Sequence, residues 1–246
     1  MSVVGGPRFG IVQAGLVLNL DAGNTLSYPG TGTNWFDLTS NNNDGVLVNG
    51  PIFDSVNGGS IEFDGVNDYV RIANNSNLQF GTGSFTAFAW IYPDFVGNVR
   101  IINNRGTGGG GQYKGYQFKI TYSGPNWYIY DSSIDDASGN SKNCNGCGST
   151  YPRNKWYYVN MVYETQNELR FYVNGELDGT VRVGTYGSIT NSLPTAIGAA
   201  IVNTGVEGSL SQTYDGKIAH VGLYNKALTA SEITQNYNAT KGRFGL

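Results

Sequence analysis

The sequence predicts an all-β fold, a two-sheet antiparallel sandwich of about a dozen strands that ends in one short helix. Short runs with the two-residue period of a β-strand recur along the chain, and turn-forming residues close each run. The composition agrees, because 36 Gly, 17 Tyr and 11 Phe are expected of many short strands joined by tight turns. We expect one domain, since all-β domains of roughly 200–250 residues occur as single units.

The chain begins with a segment that opposes regular structure. Gly5, Gly6 and Pro7 interrupt residues 1–14, which we interpret as an N-terminal arm. The first strand is predicted directly after it, at residues 16–20. The domain is predicted to run over residues 15–240, with residues 241–246 as a C-terminal tail.

Residues 60–93 contain three strand-like runs and are the stretch around which the fold is predicted to form. Apolar and polar residues alternate at 60–64 and again at 69–72, and turn-forming residues follow both runs. Residues 84–92 are apolar on both faces. This strand is therefore predicted to lie in the centre of a sheet.

Three regions of the sequence resemble a known family. The first holds Phe-Asp-Gly, Asp-Tyr-Val, an asparagine-rich spacer and Phe-Thr with a Trp four residues later, within residues 63–93. The second is a Trp-to-Val-Asn-Gly hairpin at 156–175, and the third ends in Ala-Leu-Thr before a short helix at 215–233. Together they are similar to laminin-G-like modules. This resemblance implies a concanavalin A-like jelly roll with a glycan-binding or adhesive role, although some family members are glycosidases.

Later elements follow from the same kinds of local pattern. Further strands are predicted at residues 99–103, 116–122, 126–131, 156–163 and 217–224. Asn174-Gly175 predicts a hairpin, because both residues readily adopt the positive φ of a type I′ turn. Thr229 and Glu232 have the spacing of a capping box, which predicts the short helix. Residues 132–153 are predicted to be a long irregular loop, and such loops usually carry function.

Charge and hydropathy exclude two classes of partner. Only 13% of the residues are charged, and the net charge is −3. Lys and Arg form no run, so the basic surface of a nucleic-acid-binding protein is missing. No apolar run approaches the roughly 18–20 residues that span a bilayer, and the first 14 residues do not resemble a signal peptide. We expect a soluble protein that does not insert into membranes and is not exported by that route.

The residues offer little support for catalysis. His220 is the only histidine and no Gly-x-Ser-x-Gly elbow is present, which favours a structural histidine. Glycoside hydrolysis needs two carboxyl groups about 5–10 Å apart, and Glu62 with Asp64 or Glu176 with Asp178 have that spacing on a strand. Neither pair has the third acid of the Glu-x-Asp-x-x-Glu motif in similar jelly-roll glucanases. We predict a protein without enzymatic activity, with glycosidase as the alternative.

The resemblance also implies a bound calcium ion. Ca²⁺ takes six to eight oxygen ligands, which Asn- and Asp-rich turns supply. By resemblance, the ion lies between a turn that carries Asp37 and Asp44 and the later Asp215. The alternative is that these side chains only cap turns.

The two cysteines form a single Cys-x-x-Cys motif, Cys144 and Cys147. Zinc and βαβ-type redox sites are disfavoured, because no second cysteine pair or histidine cluster accompanies the motif. A small disulfide loop and two free thiols remain as alternatives.

Aromatic and polar residues flank the two longest predicted loops. Sugars are bound by aromatic faces together with amide and carboxylate hydrogen bonds. We therefore predict a glycan-binding site formed by Tyr113, Trp127, Tyr130, Asp131 and Tyr151. The alternative is that these aromatic residues only pack the sandwich and its loops.

Two functions from different classes remain. One is a glycan-binding or adhesion module, and the other is a structural building block that docks through its terminal arms. The start and end of the sequence resemble stand-alone laminin-G-like proteins of tailed phages, which assemble in the cytoplasm and are released by lysis. This resemblance implies a virion-surface or extracellular location, with a cell-surface polysaccharide and other virion proteins as partners. A homo-oligomer is compatible with both functions.

Overall fold

A computed structural model describes residues 10–94, 97–106, 113–129, 132–136, 140–144, 146–201 and 210–246. The described strands are β1 (Leu16–Asp21), β2 (Asn34–Trp35), β3 (Gly45–Val48), β4 (Ile52–Asp54), β5 (Ser60–Asp64), β6 (Tyr69–Ile72), β7 (Phe85–Pro93), β8 (Asn98–Arg105), β9 (Gly115–Ser123), β10 (Asn126–Ile129), β11 (Ser132–Asp135), β12 (Ser141–Cys144), β13 (Cys147–Pro152), β14 (Tyr157–Glu164), β15 (Glu168–Val173), β16 (Glu176–Arg182), β17 (Thr195–Ile197), β18 (Ala200–Ile201), β19 (Leu210–Ser211) and β20 (Asp215–Tyr224). Helix α1 spans Ala230–Thr240, and 3-10 helices span Val56–Gly58, Ser76–Leu78 and Lys241–Phe244. None of the helices in these ranges is both long and apolar enough to cross a membrane.

Two antiparallel sheets pack face to face, which confirms the predicted jelly-roll sandwich. Sheet A has the order β16-β15-β14-β7-β20-β5-β4, and β1 also pairs with β20. Sheet B has the order β12-β11-β9-β8-β17-β6-β3-β2, with β10 paired to both β9 and β13. The described strands outnumber the predicted dozen, because strands of two or three residues, such as β2, β17, β18 and β19, are too short to show a period.

The main core lies between the two sheets. Its fully buried side chains include Phe63, Phe85, Ile91, Phe118 and Ile120. Strand β7 lies between β14 and β20, and its residues are buried on both faces, which confirms the predicted central strand. Burying one such large apolar side chain stabilises the fold by about 1.5–3 kcal/mol. This layer is therefore the main source of stability.

A second hydrophobic core covers the outer face of sheet A. Helix α1 and the 3-10 helix Lys241–Phe244 supply one side of it, and Trp90 and Tyr158 supply the other. Thr229 Oγ1 accepts from Glu232 N at 3.2 Å, while Glu232 Oε2 accepts from Thr229 N at 2.9 Å. This capping box satisfies backbone N–H groups at the helix start. The predicted short helix is confirmed.

Both ends of the described chain pack on this same face. The main chain of Val12 is hydrogen-bonded to Asn236 Oδ1 at 2.7 Å and to the Tyr224 hydroxyl at 2.8 Å. Phe244, in the predicted tail, stacks on Trp90 with ring centroids 4.1 Å apart. The first nine residues of the predicted arm lie outside the described residues. The predicted domain boundaries stay predictions.

Most of the described residues between 132 and 153 lie in strands, so the prediction of an irregular loop is wrong. Strand β11 pairs with β9 and β12, and β13 pairs with β10. These strands show no apolar alternation, because they carry mainly polar side chains at the edge of sheet B. A disulfide between Cys144 and Cys147 joins β12 to β13. Cys147 packs closely on Gly179 of β16, where an added Cβ would lie 2.7 Å from the cysteine Cβ.

Reduction of the Cys144–Cys147 disulfide is expected to lower the free energy of unfolding by about 2 kcal/mol, because even a short closed loop restricts the unfolded chain. Urea unfolding with and without reductant measures the change. The chain has only two cysteines, so the reductant acts on no other bond. A variant with both cysteines changed to serine should match the reduced protein. Equal midpoints in all three samples would contradict the prediction.

Candidate functional site

The outer face of sheet B carries polar side chains that are nevertheless buried. They belong to the neighbouring strands β8, β9 and β11, and each is between 1% and 4% exposed: Arg100, Asn103, Gln117, Lys119, Ser133 and Asp135. Buried polar groups are costly unless they are hydrogen-bonded. Such a concentration outside the hydrophobic core therefore indicates an organised polar site.

The alternation of β9 produces this arrangement. Its apolar residues point into the main core: Tyr116, Phe118 and Ile120. Because successive side chains of a strand point to opposite faces, Gln117 and Lys119 point outward. Asn103 and Arg100 of β8 are their register partners. The outward-facing polar side chains of β8 and β9 therefore form two adjacent rows.

A chain of hydrogen bonds links the three strands. Arg100 Nε donates to Gln117 Oε1 at 3.1 Å, and Gln117 Nε2 donates to Ser133 Oγ at 3.0 Å. Ser133 Oγ in turn donates to Asp135 Oδ2 at 3.0 Å. Arg100 also donates to the side chain of Gln212, which follows β19. Side chains held in such a network keep fixed positions.

Arg105 connects this network to the surface. Its Nη2 donates to Asp135 Oδ1 at 3.2 Å, in an ion pair whose side chains are 14% and 3% exposed. The guanidinium also lies over the Tyr113 ring, with Cζ 4.4 Å from the ring centroid. Tyr113 is 44% exposed. The cation–π contact thus holds an aromatic ring at the solvent end of the network.

Asn103 has an unused acceptor on this face. Its Nδ2 donates to Arg105 O at 3.1 Å. Its Oδ1 has no hydrogen-bond partner among the described residues, although the residue is only 2% exposed. A buried amide oxygen without a donor costs about 1–3 kcal/mol. The described neighbours do not offset this cost at Asn103 Oδ1.

Asp136 joins two backbone segments beside the network. Its carboxylate accepts from Asn140 N at 3.0 Å and from Gly187 N at 2.7 Å. The neighbouring Tyr186 is buried, and burial together with the charges of Asp135 and Asp136 raises the pKa of its hydroxyl. The phenol therefore stays protonated and able to donate at neutral pH.

The structure separates the predicted ligand-binding residues. Tyr113 precedes β9, whereas Trp127 pairs with Tyr122 near the other end of that strand. At about 3.3 Å per residue, the intervening part of β9 is roughly 20 Å long. Two further candidates, Tyr130 and Asp131, lie outside the described residues. Only Tyr113 is therefore seen next to the polar network.

Trp127 and Tyr151 belong to an aromatic cluster at the end of the sandwich. Trp127 is fully buried, and its ring centroid lies 5.1 Å from those of Tyr151 and Tyr157. The Tyr151 hydroxyl donates to Asp178 Oδ1 at 2.6 Å. The Trp127 indole fills the core, so its ring is not exposed in this structure. A ligand-binding role for Tyr151 stays a prediction.

The predicted calcium ligands Asp37 and Asp44 hold a turn together. Asp37 Oδ1 accepts from Asn19 N at 2.9 Å, and its Oδ2 accepts from Thr39 Oγ1 at 2.7 Å and Asn43 N at 3.0 Å. Asp44 Oδ1 accepts from Asp37 N at 2.8 Å. The carboxylates are thus used as turn caps, which was the alternative interpretation.

Asp215, the third predicted ligand, lies elsewhere. It begins β20, whereas Asn19, which binds Asp37, is opposite Gly222 on the same strand, roughly 20 Å away at about 3.3 Å per residue. Burial raises the pKa of Asp215, and so do the negative charges of Asp94 and Asp64. In the ranges that the structure describes, no three His, Cys, Asp or Glu residues are placed to share an ion. The three predicted residues therefore do not fit one calcium ion.

The acids considered for hydrolysis take part in structural contacts. Glu62 Oε2 lies 3.8 Å from Lys217 Nζ on the neighbouring strand. Asp64 Oδ1 accepts from Val66 N at 2.8 Å, inside the turn that it begins. His220 Nε2 lies 2.7 Å from Asn19 Oδ1.

Sequence patterns alone do not single out Arg100, Gln117, Lys119 and Ser133. One signal is present, because β9 reads Tyr-Gln-Phe-Lys-Ile-Thr-Tyr, with polar residues at every second position. This pattern indicates a strand with one polar face. It does not distinguish a solvated face from a covered one.

One family model matches the sequence over residues 64–234, which is more than half of the chain. Its description is the concanavalin A-like lectin/glucanases superfamily. No curated protein matches the sequence.

Several solved clostridial toxin domains have a similar fold. The binding domain of Paraclostridial Mosquitocidal Protein 1 aligns with a TM-score of 0.67 and 17% identity, over 92% of this chain and 52% of that one. The binding domain of botulinum neurotoxin DC, in complex with SialylT, gives 0.64 and 13%, over 92% and 52%. The ligand-binding domain of botulinum neurotoxin serotype D, in complex with N-acetylneuraminic acid, gives 0.63 and 14%, over 91% and 50%. The chain thus spans about half of these structures, and identities this low show the fold alone.

Proposed function

Because this chain belongs to the concanavalin A-like lectin/glucanase superfamily, we propose that it is a non-enzymatic glycan-binding module. The proposal is carried by the buried polar network on the outer face of sheet B, which ends at the partly exposed ring of Tyr113. The glycan binds at the exposed end of this face, where the ring of Tyr113 forms the contact surface.

The chemistry of this face suits a sugar. A sugar ring has apolar C–H groups that pack on an aromatic face, and hydroxyl groups that both donate and accept. Tyr113 supplies the exposed aromatic face. Arg105 lies over this ring and is held in place by Asp135, so the ring loses little conformational entropy on binding.

Acidic sugars are the first ligands to test. Arg105 brings a positive charge to the exposed end of the face, where its guanidinium lies over the Tyr113 ring and pairs with Asp135. Two solved domains of similar fold contain SialylT and N-acetylneuraminic acid. A glycan array should therefore carry sialylated oligosaccharides beside neutral ones.

Tyr113→Ala is expected to raise the Kd for the best array ligand about tenfold, since an aromatic contact contributes about 0.5–1.5 kcal/mol beyond its buried area. Isothermal titration calorimetry on the isolated chain measures the change. Thermal unfolding of the variant is expected to stay close to wild type, because Tyr113 is 44% exposed and lies outside the hydrophobic core.

Tyr122→Ala is the matched control. Tyr122 is 36% exposed and also lies under an arginine, with Arg153 Cζ 5.2 Å from its ring centroid. It lies toward the other end of β9, away from Tyr113. Its replacement should leave the affinity unchanged. Equal affinities for both variants and wild type would overturn the proposed entrance.

A structural role in a virion is the second candidate. Both described ends of the chain pack on the outer face of sheet A, opposite the proposed ligand face. We propose that the terminal segments attach the module to other virion proteins and that the ligand face points outward from the virion surface. An array without any ligand, together with recovery of the protein only in particles, would favour a purely structural role. Saturable binding by the isolated chain would favour the lectin.

A further inference from the structure

Arg243 fastens the 3-10 helix Lys241–Phe244 to the sandwich. Its Nε donates to Asn57 O at 2.7 Å. The guanidinium also donates to Asp21 Oδ1 and to Gly59 O. One arginine therefore ties the C-terminal end of the chain to β1 and to the segment before β5.

Phe244 closes the same helix over two tryptophans. Its ring centroid lies 4.1 Å from that of Trp90 and 4.6 Å from that of Trp156. Trp90 is fully buried and Trp156 is 9% exposed. Arg243 and Phe244 together are called the latch below. Removal of the latch would expose aromatic surface on both tryptophans.

His220 lies beneath the latch. It is the register partner of Asp21, the residue that binds Arg243. The imidazole is 4% exposed, and its Nε2 lies 2.7 Å from Asn19 Oδ1. His220, Asp21 and both latch residues line one cleft of about 760 Å³. The only histidine of the chain is thus covered by the latch and by its carboxylate partner.

We propose that His220 is a pH sensor for the latch. When the imidazole takes up a proton at mildly acidic pH, Arg243 and Phe244 leave their sites and uncover the two tryptophans. The cause is electrostatic, because Asp21 is then shared by two cations while the imidazolium is almost fully buried. Opening of the latch lets water reach the imidazolium.

The charged and neutral groups around the imidazole are consistent with opening of the latch when His220 is protonated. Asp21 from β1 and Arg243 from the 3-10 helix are the charged groups that act on it most, and Lys241 adds a further positive charge to the cleft. Asn19 and Phe88, which contact the ring, are neutral. Burial acts to raise the pKa of Asp21, but His220 and Arg243 hold it below its ordinary value, so Asp21 stays ionised.

The sign of the pH dependence follows from linkage. Burial lowers the pKa of His220, with Asp21 opposing this effect and Arg243 adding to it. In the open form the hydrated imidazole returns toward its ordinary pKa of about 6.5. The open form therefore binds the proton more tightly. The closed form is favoured above about pH 6.5, and the closed-to-open ratio falls by up to about tenfold for each unit below it.

Tryptophan fluorescence reports this opening. The other two tryptophans, Trp35 and Trp127, are fully buried in the main core. Between about pH 7.5 and pH 5, acrylamide quenching is expected to rise and the emission to shift to the red, while the far-ultraviolet circular dichroism of the sandwich stays constant. A flat quenching profile in the wild-type protein would overturn the proposal.

Two variants assign the change to the latch. His220→Gln keeps a donor toward Asn19 but does not titrate, so its quenching should be independent of pH. Phe244→Ala should show high quenching at both pH values. Wild-type pH dependence in His220→Gln would overturn the proposal. If His220→Gln does not fold, hydrogen exchange of residues 241–246 in the wild-type protein is measured at both pH values instead. The exchange rates are corrected for the intrinsic effect of pH. Equal protection at both pH values would also overturn the proposal.

Discussion

Replacing Arg105 with methionine is expected to lower the free energy of unfolding by about 3–5 kcal/mol, because the change leaves a buried carboxylate without its ionic partner. The Asp135 side chain is only 3% exposed and lies on the outer face of sheet B. Methionine keeps much of the apolar stem of arginine, so the loss reports mainly on the charge. Urea denaturation at neutral pH, followed by circular dichroism, measures the difference.

Arg153→Met is the control for this prediction. Arg153 Nη1 lies 4.0 Å from Asp94 Oδ1, and these side chains are 24% and 57% exposed. An ion pair in contact with solvent contributes about 0–1 kcal/mol, so a loss of less than about 1 kcal/mol is expected. Adding Asp135→Asn to Arg105→Met should recover part of the larger loss, since the unpaired charge is then gone. Equal losses in the two single variants would contradict the prediction.

Much of the fold could be predicted, because the informative signals are local. Asn174 and Gly175 have φ values of 53° and 87°, as a type I′ turn requires, and no distant residue is needed to explain them. The capping box of Thr229 and Glu232 likewise depends on residues three apart. Strand β7 was identifiable because both of its faces are apolar. In each case the residues that determine the structure are neighbours in sequence.

The candidate site depends on contacts between distant parts of the chain. Lys119 looks like a solvated residue in sequence, yet it is 3% exposed. Arg100 is covered in part by Gln212, which lies 112 residues away. Trp127 shows the converse, because an aromatic residue beside a predicted loop fills the core. Alternation shows which side chains lie on the polar face of a strand. Which other segment of the chain covers that face depends on tertiary packing.

The three predicted calcium ligands do not lie together, for a related reason. Asp37 and Asp44 form the turn that the sequence indicates, and they bind each other through the Asp37 N–H. Their distance from Asp215 depends on the register of β1 with β20, which places the turn and Asp215 at different positions along β20. Composition shows which ligand types are available. It does not show which of them meet.

Replacing Gly115 with alanine is expected to lower the free energy of unfolding by about 3 kcal/mol or more and to weaken glycan binding. Gly115 has φ +129°, and a Cβ there would lie 1.8 Å from Asn104 O and 2.7 Å from Asn191 Nδ2. An alanine therefore adds a backbone clash to the strain of this conformation. Gly115 also pairs with Arg105 and lies two residues after Tyr113, so the shift displaces the proposed entrance.

Gly97→Ala separates these two causes. Gly97 also has a positive φ, +109°, but a Cβ there would meet nothing within 4 Å. Only conformational strain is introduced, at a cost of about 1 kcal/mol, and ligand affinity should not change. Urea unfolding and calorimetric titration of both variants test this difference. If Gly115→Ala lost no more stability than Gly97→Ala, the close approach of β9 to Asn104 would not constrain the chain. If it lost stability but kept full affinity, the ligand would have to bind away from Tyr113 and Arg105.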